Sequence, residues 1–147
     1  MNDRERLCYL AGIIDGEGSI ELRLNRGISL NLVLHVFNSD KPLMEWIQLY
    51  FGGKVYDIHR RARLERPQWQ PVYNWNLTST AARDLLEALA PFMVIKRAQA
   101  EHAVEAWAER GDFRGSGRWH GMPEGVVEMR KVAVDQMHQL NRKNRGA

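Results

Sequence analysis

The segment Leu10-Ala11-Gly12-Ile13-Ile14-Asp15-Gly16-Glu17-Gly18 places two carboxylates, Asp15 and Glu17, at the end of an apolar stretch with helical spacing. The C-terminal end of a helix already carries partial negative charge, so acidic side chains there are disfavoured unless something cationic compensates them. Cys8, Gly12 and Gly16 lie four apart, a stripe of small residues that permits close approach of another backbone, while Leu7, Leu10 and Ile14 can face a core. If a second copy of the helix packed on that stripe, two acidic ends would converge. A hard divalent cation held by carboxylate and carbonyl oxygens, Mg²⁺, relieves such repulsion. On spacing alone, the glycines serve tight turns or core packing equally well, with Glu17 a solvated turn residue.

Two hairpins and their intervening helices must position these groups. Apolar residues from Arg6 to Asp15 read as a helix broken by Gly16-Glu17-Gly18, after which Ile20, Leu22 and Leu24 alternate with Glu21, Arg23 and Asn25. Asn25-Arg26-Gly27 is hairpin-turn chemistry, and a second strand from Ile28 to about Asn38 puts Leu30, Leu32, Leu34 and Val36 toward a core. Ser39 or Asp40 caps a helix with Pro42 in its first turn, a stripe through Trp46, Leu49 and Tyr50, and Gly52 at its end. Lys54 to about Arg61 and Val72 to Thr78 read as a second hairpin, with Asp57, His59 and Arg61 on one side and Tyr56 and Ile58 on the other. Helices follow from Ser79 or Thr80 to Ala90 and from about Val94 to Arg110, then a loop to Gly125. A last helix opens at Pro123-Glu124 with the stripe Val126, Met129, Ala133, Met137 and Leu140, and the basic tail from Asn141 is expected to fray.

The chain's 147 residues suit one folded unit, and 44% hydrophobic with 27% charged residues excludes a disordered tail, a collagen-like chain or a coiled-coil rod. A net charge of +3 leans weakly toward a polyanionic partner. The single cysteine, Cys8, allows no internal disulfide and supports no Cys-based zinc site. No apolar run approaches a membrane span or a secretory leader, so a soluble, intracellular and unexported protein is expected.

The nonapeptide, ending in Asp-Gly-Glu-Gly and standing before an alternating strand, resembles the signature of the LAGLIDADG homing endonuclease family, in its single-motif homodimeric form. The αββαββα order over about residues 6–110 extends the likeness. The resemblance implies an α+β fold in one domain over 1–147, with a curved four-stranded antiparallel DNA-binding sheet and additional C-terminal helices. It implies Mg²⁺-dependent double-strand cleavage, with short 3′ overhangs, of a long pseudo-palindromic DNA target by a homodimer. Mn²⁺ is expected to substitute and Ca²⁺ to bind without supporting cleavage, and neither a membrane nor a small-molecule substrate is expected as a partner. Glu17 stands at the family's catalytic, metal-binding position and Gly16 where a backbone carbonyl joins the metal, while Asp15 matches a helix-end structural residue. Asn38 falls where a polar side chain positions the attacking water, though it equally suits capping of the next helix. Lys96 has a spacing similar to that of the catalytic lysine, its bland alternative being a solvated surface lysine. The subunit seam would be lined by Cys8, Ala11, Gly12, Asp15 and Gly16.

A polar ribbon face of this kind enters the major groove. Alternation assigns to it Arg23, Asn25, Ser29, Asn31, His35, Asp57, His59, Arg61, Asn74 and Asn76. Glu21 and Asp57 depart from a basic surface and are tolerable if they accept from cytosine or pair with a neighbouring arginine. The run Arg60–Arg66 clamps phosphates or is an exposed loop. His102, His120 and His138 read as packing or surface residues, and Trp46, Trp75 and Trp107 as core. The alternatives are a noncatalytic DNA- or RNA-binding member of the fold, such as an intron maturase or transcription regulator, and a small-molecule metalloenzyme, for which the sequence offers no His and carboxylate cluster.

Overall fold

The computed structural model describes residues 1–110 and 124–145. Its elements are α1 (Asp3–Glu17), β1 (Gly18–Asn25), β2 (Ser29–Asn38), α2 (Lys41–Phe51), β3 (Lys54–Asp57), α3 (Ala62–Glu65), β4 (Tyr73–Thr78), α4 (Ser79–Leu89), α5 (Arg97–Glu109) and α6 (Glu124–Arg145). The fold is α+β. One four-stranded sheet of order β1-β2-β4-β3 is antiparallel throughout. Most of the loop expected over 111–125, His120 included, lies outside the described residues, while Glu124 and Gly125 already belong to α6.

Local chemistry accounts for the element boundaries. Asn2 and Glu5 form a reciprocal capping box that starts α1. Arg26 and Gly27 both take positive φ, 53° and 73°, and the Ile28 N–H returns to the Asn25 carbonyl at 3.1 Å, a tight turn whose twist matches the strands it joins. Asp40 accepts from the Leu43 N–H at 2.9 Å to begin α2, which ends at Gly52 and Gly53. A Cβ on Gly53 would sit 2.5 Å from the Asn76 carbonyl oxygen, so only glycine lets α2 turn this tightly into β3.

The inner face of the sheet (Ile20, Leu22, Leu30, Leu32, Leu34, Val36, Trp75 and Leu77) packs on helical residues including Leu10, Ile14, Met44, Ile47, Leu86 and Met137 in one buried cluster. Trp75 and Trp107 are buried as expected, whereas Trp46 is only half-buried, against Tyr9 and Tyr50. In α2 the buried stripe is Met44 and Ile47, with Leu49 and Tyr50 exposed, because the sheet lies one step around the helix from the aromatic residues. In α6 the buried positions are Arg130, Val134 and Met137, and Met129 is exposed. Arg130 is drawn inward by carbonyls of Ile28 and Arg110, which rotates the stripe away from the purely apolar one. The tail is helical to Arg145, with Asn141 donating to the Ile20 carbonyl at 3.1 Å and Asn144 to that of Ile95 at 3.3 Å. No described helix is long and apolar enough to cross a membrane.

Candidate functional site

The chain passes from α1 to β1 with no intervening residue. Gly18 is extended, its N–H returns to the Ile14 carbonyl, and a Cβ there would lie 2.7 Å from the Ile14 Cα, so the helix end and strand start are pressed together. Asp15 turns inward from this corner. Its carboxylate accepts from the backbone N–H groups of Val94, Ile95 and Lys96 at 2.7, 3.2 and 2.9 Å, tying α1 to the approach of α5. Lys96 stands immediately before α5, and its ammonium donates to the carbonyls of Ile14 and Asp15 at 2.8 and 2.9 Å. The cation that the negative helix end demands is therefore Lys96. Burial pushes this ammonium below the usual lysine range, with the negative charge of Asp15 acting in opposition.

Glu17 points outward and is exposed. The amide of Asn38, at the end of β2, donates to Glu17 Oε2, while Asn38 Oδ1 accepts from the Asp40 N–H at 2.8 Å. Asn38 thus precedes the Asp40 cap of α2, ordering the chain there, and its amide contacts the Glu17 carboxylate. Glu17 and Asn38 share a groove of about 450 Å³ with Cys8, Tyr9, Gly12, Ile13, Gly16 and Leu43. Cys8, Gly12 and Gly16 are exposed along it, and a Cβ on either glycine would meet nothing within 4 Å. Ala11, expected in this seam, has no exposed surface and belongs to the chain's own core, since it falls on the same helical side as Leu10 and Ile14. The Asp15 carboxylate, expected there too, is committed to its own chain's backbone.

These groups suit a hard cation. Glu17 offers an exposed carboxylate, and no described residue donates to the neighbouring Gly16 carbonyl. Among the described residues, no three His, Cys, Asp or Glu side chains converge on one point. A cleft of about 610 Å³ opens on the other side of the corner, lined by Asp15, Gly16, Arg23, Lys96, His138 and Arg142 among others. His138 and Arg142 there carry no signal in local sequence, since their place depends on α6 lying along β1. His102 is a packing residue, its ring nitrogen 2.8 Å from the Ala133 carbonyl oxygen.

The outer face of the sheet carries most of the expected polar set. Cross-strand register pairs Arg23 with Asn31, Asn25 with Ser29 and His35 with Asn76, and all lie opposite the buried face. His35 also approaches the Asn74 side chain at 3.3 Å. The second hairpin differs from expectation. β3 stops at Asp57, so His59 and Arg61 lie in a turn ahead of α3 and extend no strand face. Lys54 pairs with Asn76 and Tyr56 with Asn74, which puts Lys54 and Tyr56 on the outer face and Val55 and Asp57 on the inner side. The phase was ambiguous because Val55 and Tyr56 are adjacent apolar residues, and packing of Val55 beside Trp75 decides it. Asp57 receives two hydrogen bonds from the Arg63 guanidinium, which holds its carboxyl below the usual carboxylate range. Arg63 is thereby spent, and Arg66 stacks on Trp69. Within the basic run, Arg60 and Arg61 face solvent.

No family model matches the sequence, and no curated protein is significantly similar to it. Solved structures do match. The homing endonuclease I-CvuI, in complex with the I-CreI target in the presence of Mg with the DNA not cleaved, superposes with a TM-score of 0.74 at 19% identity, covering 94% of this chain and 83% of that one. Another I-CvuI complex contains its own target and Ca. The archaeal intron-encoded homing endonuclease I-Vdi141I, complexed with DNA, matches with a TM-score of 0.58 at 15% identity over 94% of this chain and 99% of that chain. The LAGLIDADG meganuclease I-AabMI, bound to uncleaved DNA, has a TM-score of 0.52 at 20% identity, over 88% of this chain and 48% of its own. The chain has the fold of the LAGLIDADG homing endonucleases.

Proposed function

We propose that the protein is a site-specific DNA endonuclease of the LAGLIDADG homing type, working inside the cell as a homodimer and making Mg²⁺-dependent double-strand breaks in a long pseudo-palindromic target. The observation that carries this reading is Glu17, held by Asn38 in the groove that contains the exposed glycines of α1. A mid-helix glycine costs about 1 kcal/mol relative to alanine. The chain's own packing needs neither Gly12 nor Gly16, whereas a second α1 laid against them brings its own Glu17 to the same place. Two carboxylates, phosphate oxygens and water then complete what one chain leaves short.

Glu17 and the Gly16 carbonyl would hold the ion, and bound Mg²⁺ supplies Lewis-acid activation of water and neutralisation of the leaving 3′ oxygen. Asn38 fixes the Glu17 rotamer and keeps an N–H to orient the attacking water. Lys96, anchored on the carbonyls of Ile14 and Asp15, places its positive charge beside the phosphate that gains negative charge in the transition state. Attack at phosphorus breaks the bond to the 3′ oxygen, leaving a 3′ hydroxyl and a 5′ phosphate. The fold neighbours are bound to DNA, and the outer sheet face offers the donors and acceptors that a major groove reads. Mn²⁺ is expected to support the reaction and Ca²⁺ only binding.

The test is incubation of the purified protein with DNA from the locus flanking its own gene, and with a randomised duplex pool, separately in Mg²⁺, Mn²⁺ and Ca²⁺. Paired cuts in Mg²⁺ with short 3′ ends support the reading. Sequence-specific binding without cutting in Mg²⁺ or Mn²⁺ replaces it with the noncatalytic DNA-binding one.

A further inference from the structure

We infer that Arg23, held in place by Glu21, reads one guanine in each half-site and so fixes a base of the target. The inference rests on the DNA-cleaving function proposed above and adds to it a base preference. Glu21 and Arg23 lie two apart on β1, so both project from the outer face, opposite Val33 and Asn31 of β2. Arg23 Nε donates to Glu21 Oε2 at 2.6 Å and Nη2 contacts the same oxygen. One edge of the guanidinium is therefore occupied. The far edge, formed by Nη1 and the outward N–H of Nη2, keeps two parallel donors.

In the major groove only guanine presents two adjacent acceptors, O6 and N7. Adenine sets a donor beside its acceptor, cytosine offers a donor, and thymine pairs one acceptor with a methyl group. A guanidinium with its far edge free and its rotamer held is complementary to guanine alone. An unbraced arginine swings to a phosphate as readily, and Glu21 prevents that swing. This explains an acid on a surface facing a polyanion, where it otherwise only repels. The Asp57–Arg63 pair has the same chemistry and a different use. Those side chains retain 20% and 25% of their exposure and Asp57 lies on the inner side of the sheet, whereas Arg23 keeps 58% and Glu21 32%.

The experiment selects bound sequences from a duplex DNA pool with a randomised central segment, using the wild-type protein, Arg23→Gln and Glu21→Ala in Ca²⁺. Circular dichroism verifies the fold of each. The wild type should enrich a guanine at symmetry-related positions, and Arg23→Gln should lose roughly 10- to 100-fold discrimination there and little elsewhere. Glu21→Ala should weaken discrimination at the same positions while tightening binding to unrelated DNA, opposite movements that mere structural damage does not produce. Uniform weakening on all sequences by Arg23→Gln, with a salt slope shallower by about one, identifies a phosphate contact and overturns the inference while leaving the function standing. A selected site without a guanine dependent on residue 23 also overturns it alone. Failure of all three proteins to bind DNA overturns both.

Discussion

On the inner side of the C-terminal end of α1, Asp15 is saturated: three backbone N–H groups converge on it, and Lys96 fills the carbonyls beside it. On the outer side, two residues later, Glu17 is exposed and receives one side-chain donor, Asn38. The same residue chemistry serves opposite ends. A carboxylate whose acceptor sites are filled from within is a structural fastener, and one left open is available to a ligand. The inner side also fixes a cation, because the Asp15 contacts hold the backbone from Val94 to Lys96 while the Lys96 ammonium rests on the carbonyls of Ile14 and Asp15.

The contrast can be broken by substitutions on each side. The largest effect belongs to the outer side. Glu17→Gln keeps the shape and removes the charge, so cleavage should fall by roughly 10³-fold or more while DNA binding in Ca²⁺ persists, read by single-turnover cutting and gel shift. Normal turnover by this variant would remove the distinction altogether. Lys96→Met should lower the cleavage rate by about 10²- to 10³-fold with binding retained; a rate unchanged within threefold would reduce Lys96 to a helix-end fastener like Asp15. Gly12→Val adds bulk where the chain itself has open space, so each subunit should fold while the dimer dissociation constant rises roughly 10- to 100-fold, measured by analytical ultracentrifugation. A dimer insensitive to that bulk would remove the packing of two α1 helices. The smallest effect lies inside. Asp15→Asn exchanges charge-assisted hydrogen bonds for neutral ones and should cost about 1–2 kcal/mol, a fall of roughly 3–8 °C in melting temperature without loss of DNA recognition.

Local chemistry exposed much of this arrangement in advance. Strands β1 and β2 were legible because apolar residues recur at every second position, Val33 and Phe37 being the apolar exceptions between them, and the demand for a cation near Asp15 and Glu17 follows from helix electrostatics. Which cation answers it is a matter of tertiary structure, as Lys96 lies 81 residues from Asp15. Asn38 was legible as a polar residue leading into α2, where Asp40 is the cap, and its reach to Glu17 follows from the antiparallel register that sets Gly18 opposite Val36. The second hairpin misleads because Val55-Tyr56-Asp57-Ile58 admits either phase, and the partner of Asp57 on the inner side, Arg63, is reached only across a turn. The placement of α6 had no local signal at all: its inward Arg130 is held by carbonyl groups from two distant elements.

That helix has one more effect. β1 is a terminal strand of the sheet, and strands in this position leave backbone groups open to pairing with other chains. α6 lies along it, occupying the Ile20 carbonyl through Asn141 and the Ile28 carbonyl at the hairpin through Arg130. The opposite border, β3, is only four residues long and begins with a lysine. Sideways pairing is thus hindered at both margins, while among the described residues the outer face of the sheet and the groove along α1 stay exposed.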